Sequence, residues 1–144
     1  MLMRTLTLNV IVLSAVALLT TSCLHASAAD DEKILGLAAA LTKVSSAVNT
    51  TVRYKNPPAD LHDGPLLAFA TAHNPSLLKA FDGYVLKARQ SGKNSSVLIC
   101  DAQGQTALIE DAGCTAKSDL NIQQTHPGQP CDYVLDLAVT CAIP

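Results

Sequence analysis

Four cysteines in the last third of the chain, Cys100, Cys114, Cys131 and Cys141, carry its most readable chemistry. Thirteen, sixteen and nine residues separate successive members. Zinc sites use close pairs such as C-x2-C, and redox sites use C-x-x-C; neither spacing occurs here. Two structural disulfides are therefore expected, provided the chain matures in an oxidising compartment.

Histidines and carboxylates give weaker signals. His25 leaves with an N-terminal signal, so His62, His73 and His126 remain. Asp60, His62 and Asp63 fall within four residues, and His73 could join them from the next helix. His62, Asp63 and His73 are thus weak candidates for a metal site. The plainer expectation is a solvated loop with an Asp capping a helix start, so no metal or other cofactor is predicted. His126-Pro127-Gly128 reads as a turn. Glu110 and Asp111 end a strand, and Asp101 sits at the turn opposite; all three are expected to be edge and turn charges. Neighbours on a strand face opposite ways, so Glu110 and Asp111 are not expected to cooperate. No G-x-S-x-G elbow, P-loop or dinucleotide fingerprint is present. Asn49-Thr50-Thr51 and Asn94-Ser95-Ser96 are formal glycosylation sequons.

The start of the chain supplies the compartment. Arg4 precedes a mostly apolar run over residues 6–19, then a small-residue stretch to Ala29 and the acidic Asp30-Asp31-Glu32. That anatomy defines a secretory signal peptide over residues 1–28, cut at Ala26-Ser27-Ala28, and leaves one domain over 29–144. The alternative cut uses Cys23. Leu19-Thr20-Thr21-Ser22-Cys23 resembles a bacterial lipobox, with Thr20 where that motif carries Leu; it implies a leader of 1–22 and a lipidated Cys23. Either cut leaves the same four cysteines. The apolar run is short of the roughly 20 residues that a transmembrane helix needs, and no membrane span is expected in the mature chain.

Charge and composition narrow the partners. Arg4 takes one of ten basic residues with it, so nine face twelve acidic ones, a net charge near −3. Nucleic acid, which favours a basic face, is not an expected partner. With no Trp, three Tyr and two Phe, a base-stacking platform is not expected either.

These residues must be positioned by elements of two textures. Ile34, Leu37, Ala38, Leu41, Val44 and Val48 recur at helical spacing, and the helix is expected to end near 49–52. Asn56-Pro57-Pro58 breaks the chain. A second helix should start near Asp63-Gly64-Pro65 and carry Leu66, Leu67, Phe69 and Ala70. Asn74-Pro75 restarts a short helix to Phe81, and Gly83 stops it. Strands are predicted over 84–90, 96–100 and 106–110, joined by turns at 91–94 and 101–104. A loop is predicted over 116–130, then a last strand over 132–140. Helices followed by strands specify an α+β fold: N-terminal helices on one face of a small antiparallel sheet of about four strands, stapled by two disulfides.

An extended 132–140 segment holds Cys131 and Cys141 about 30 Å apart, too far to bond. With the last strand antiparallel to the 106–110 or the 84–90 strand, Cys100 is predicted to pair with Cys141 and Cys114 with Cys131; a parallel placement would give the third pairing. The functional expectation is an exported, periplasmic, secreted or lipid-anchored protein of a bacterial envelope. It would bind another envelope or secreted protein as an inhibitor, immunity or assembly factor, and is not expected to be an enzyme. A small hydrolase or metal-dependent enzyme using His62, Asp63 and His73, or a small-ligand carrier with a pocket between helices and sheet, is the alternative.

Overall fold

The computed structural model describes residues 31–114, 120–126, 128–132 and 141. The predicted export signal with Cys23, and residues 133–140 of the predicted last strand, lie outside the described residues. The chain divides into two compact units, residues 1–36 and 37–144, and the second carries the fold below.

Helix α1 occupies residues 31–55. Its stripe of Leu37, Leu41, Val44, Val48 and Val52 is fully buried. The helix runs a turn beyond the expected end because Val52 extends that stripe. Asn56 then adopts a left-handed conformation (φ 46°) before Pro57, and Lys93 closes the terminus. Its ammonium donates to the Arg53 carbonyl (3.0 Å) and to Asn56 Oδ1, placing positive charge at the negative end of the helix. Helix α2, Asp63–Ala70, and a 310 helix, Pro75–Phe81, follow the Pro and Gly breaks. Gly83 turns the chain at φ 87°, a conformation glycine adopts at no steric cost.

Four strands form an antiparallel meander in chain order: β1 Val85–Ser91, β2 Asn94–Cys100, β3 Ala107–Cys114 and β4 Leu120–Thr125. Alternation fixes the faces. Leu86, Ala88, Val97, Ile99 and Ile109 pack with the α1 stripe, Leu66, Leu67 and Phe81 into the main core. Val85, Leu98, Cys100, Ala107 and Cys131 form a second cluster. A bulge between Ile99 and Cys100 separates the Ile99–Ile109 pair from the Cys100–Ala107 pair.

The disulfides differ from the expected pairing. Cys100 bonds Cys131 and Cys114 bonds Cys141, with Cα separations of 5.6 and 5.2 Å. The cause is β4, which lies in the stretch expected to be loop. It pairs with β3 and runs antiparallel to it from Leu120 beside Cys114 to Thr125 beside Ile109. The chain is thus carried back to the start of β3. There Pro130 bridges Thr106, Ala107 N–H donates to the Gln129 carbonyl, and Cys131 N–H donates to the Gln105 carbonyl. Cys131 arrives at the Cys100 end of the sheet and leaves Cys141 for Cys114 at the other. No helix among the described residues is long and apolar enough to cross a membrane.

A non-reducing peptide map should therefore show Cys100 joined to Cys131 and Cys114 to Cys141. The bridged pairs are 31 and 27 residues apart. Replacing either pair with serines should cost about 3–4 kcal/mol in chemical denaturation, mainly through the freed unfolded chain.

Candidate functional site

Glu110 and Asp111 lie on the central strand β3 and are both fully buried, at 0 % exposure. They are not the edge charges that the sequence suggests. As alternation requires, they face opposite ways.

Asp111 faces α1, where a second stripe runs beside the apolar one: Thr42, Ser45 and Asn49, three and four residues apart. Ser45 Oγ donates to the Asp111 carbonyl (3.3 Å). Thr42 Oγ1 lies 3.4 Å from Asp111 Oδ2 and 3.2 Å from the Ala38 carbonyl. Gln123, on β4, donates Nε2–H to Thr42 Oγ1 (2.8 Å) and to the Ala38 carbonyl (2.7 Å), tying the sheet edge to the helix. Asn49 sits directly on Gly113, where a Cβ would lie 2.5 Å from its Cγ. Ser95 is the cross-strand partner of Gly113. Three buried oxygens, Asn49 Oδ1, Ser95 Oγ and Asp111 Oδ1, have no hydrogen-bond partner among the described residues. Burial pushes the Asp111 carboxyl above its ordinary range, against hydrogen bonds from Ser45, Gln123 and Thr42. This seam is a polar lock between helix and sheet, with one costly charge inside it.

Glu110 faces away from α1 and meets His126, whose Nε2 lies 3.4 Å from Oε2. His126 does belong to a turn, since Gln129 N–H donates to its carbonyl (3.2 Å), but its ring is buried. Burial holds its pKa below the usual histidine value.

His62 and Asp63 are brought together, yet their chemistry is already committed. Asp63 does not cap its own helix. Its Oδ1 accepts from Arg89 Nη1 (2.5 Å) and from the Ala88 N–H (3.1 Å) on the outer side of edge strand β1, and its Oδ2 meets His62 Nδ1 (3.0 Å). Burial alone would raise its pKa; hydrogen bonds from Arg89 and His62, with the Arg89 charge, hold it below the ordinary carboxylate range. The guanidinium occupies the place a cation would take. His73 lies beyond the far end of α2, an eight-residue helix that spans about 12 Å. Among the described residues no three His, Cys, Asp or Glu side chains gather as a metal site. The space between helices and sheet is filled by core side chains.

The C-terminal end of α1 lies beside exposed aromatic surface. Tyr54 is 68 % exposed and Phe69 45 % exposed. Leu66, Leu67 and Ala70 take the inward face of α2, which turns Phe69 outward instead of into the core. A cation lies over each ring: Arg53 Cζ is 5.2 Å from the Tyr54 centroid and Lys55 Nζ 6.0 Å from that of Phe69. An open cleft of about 140 Å³ borders the same helical turn, lined by Val52 and Asn56 on either side of residues 53–55 and by Pro57, Ala59, Gln90 and Gly92. Sequence reasoning missed this region, because neither Tyr54 nor Phe69 belongs to a motif. Of the sequons, Asn49 is buried inside the fold.

Comparison with known proteins finds no matching family model, no similar curated protein and no similar solved structure.

Two variants probe the seam. Gly113→Ala should destabilise the fold by about 1–3 kcal/mol through overpacking, and Asn49→Ala in the same chain should relieve part of that loss. Asp111 holds its proton more tightly when folded than when unfolded. Its contribution to stability is therefore fully present below its ordinary pKa of 3.8 and is lost as pH rises through the raised folded value. Asp111→Asn should accordingly raise stability at pH 7, by about 1–3 kcal/mol if the buried charge dominates, and flatten its decline above pH 4. Chemical denaturation of both chains across pH 4–8 reads this directly.

Proposed function

We propose that this chain is exported and acts in a bacterial cell envelope by binding another protein, as an inhibitor, immunity or assembly factor. The observation that carries the reading is two exposed aromatic rings, Tyr54 in the last turn of α1 and Phe69 of α2, each with a cation from that turn on its face. Tyrosine, phenylalanine and arginine are the residue types that concentrate in binding interfaces, and this chain exposes two of its five Tyr and Phe residues, each against a cation of the same helical turn. The compartment rests on the export signal and on two disulfides, which persist in oxidising surroundings. The buried polar groups support the same reading from the other side: Asp111, Glu110 and His126 are enclosed, and Asp63 is held by Arg89.

Site-specific photo-crosslinking in the source cells tests the proposal. A benzoylphenylalanine at Tyr54 should give a discrete adduct with one other protein. The same probe at Ala102, an exposed residue of the turn between β2 and β3, should give none. Equal labelling from both positions, or none from Tyr54, would count against the reading.

A further inference from the structure

The end of α1 also says what kind of segment it would hold, and this step rests on the protein-binding reading above. Arg53 and Lys55 project from the last turn of α1, and Lys93 reaches it from the β1–β2 hairpin. Among the described residues, none of these three cations has a carboxylate within ion-pair distance. Asp60 is the acidic residue of the 56–61 loop, so the rim keeps a net positive charge in a chain whose overall charge is −2. The adjoining cleft, about 140 Å³, is walled by Val52, Pro57, Ala59 and Gly92, with Asn56 and Gln90 as its polar members. A dry cavity of about 150 Å³ takes a benzene-sized apolar group, so this one has room for one aliphatic side chain. The Gln90 amide already donates to the Pro58 and Leu61 carbonyls, which holds the wall in shape before anything binds.

We infer that this cleft seats a single aliphatic side chain from an acidic segment of the partner protein. Arg53 and Lys55 meet the flanking carboxylates, Lys93 adds its charge from the α1 terminus that it closes, and Tyr54 and Phe69 cover the segment. Unneutralised cations beside an apolar pocket favour an occupant that carries the opposite charge. Because the rim is exposed, the attraction is screened by salt.

The test keeps the benzoylphenylalanine at Tyr54 and adds two changes one at a time. Ala59→Phe fills the cleft from an exposed loop position, and Lys55→Glu reverses a rim charge. Melting curves for both variants check that the fold is retained. Each change should lower the adduct yield at least tenfold. Raising salt from 50 to 200 mM should lower it several-fold in the parent chain. Sequencing the crosslinked peptide should show Asp or Glu flanking an aliphatic residue. An adduct insensitive to both variants and to salt would overturn the inference while leaving protein binding intact. A crosslinked peptide from a second copy of this chain would also overturn it, by naming a different occupant. No adduct from the parent would remove the protein-binding reading and this inference with it.

Discussion

The central pair of strands, β2 and β3, is buried on both faces, and the rest of the structure answers to that constraint. A four-stranded meander with helices on one side ordinarily leaves the other side to water. Here six of the seven β2 residues and seven of the eight β3 residues are buried. The helices cover one face. On the other, Cys100 and Cys114 are bonded to Cys131 and Cys141, one at each end of the sheet. In a domain of this size a core alone is marginal. Each disulfide tethers a later cysteine to that second face.

Burial on both sides makes every polar residue of the central strands expensive, and the chain meets that cost unevenly. Ser95, Ser96, Glu110 and Asp111 are all enclosed. Around Asp111, donors from α1 and β4 supply partial compensation, and Gln123 closes the arrangement from the edge. Such a seam adds less stability than an apolar one of the same shape would. What it specifies is position. The apolar stripe of α1 could slide along a greasy sheet, but Ser45 against the Asp111 carbonyl and Asn49 against Gly113 fit only one register. The absence of a Cβ at Gly113 lets the helix come that close.

Much of this fold was legible in the sequence where pattern and position coincide. The helical spacing of Leu37 through Val48 located α1 and its buried face. Pro75 and Gly83 bracketed the 310 helix, and turn residues separated the first three strands. β4 was not legible, since the alternation of Leu-Asn-Ile-Gln stops after four residues and sits inside a polar stretch that reads as loop. An edge strand whose residues 123–125 are exposed has little need of a longer alternation. Missing that one strand reversed the direction in which Cys131 approaches the sheet, and so inverted the disulfide pairing. Glu110 and Asp111 show a different limit. Alternation correctly sent them to opposite faces, but their surroundings come from elsewhere in the chain: Ser45, 66 positions upstream, for Asp111 and His126 downstream for Glu110. The rings at the end of α1 escaped for a similar reason: Phe69 is one apolar residue among several on α2, and only packing reveals which face is left out.

Helix α1 therefore does three jobs along one length, and their order bears on function. Its apolar stripe builds the core and its polar stripe fixes the register. Its last turn carries Arg53, Tyr54 and Lys55 to the surface. The register lock and the exposed turn belong to one rigid element, so locking Ser45 and Asn49 against β3 also fixes where Tyr54 stands. Lys93 strengthens the connection by joining the β1–β2 hairpin to the Arg53 carbonyl. On the protein-binding reading proposed above, a surface preorganised in this way would lose little freedom on association. The charge buried at Asp111 and the rings exposed at Tyr54 and Phe69 are each unfavourable for an isolated fold. Both become intelligible if a single helix has to be held in one exact place to present its end.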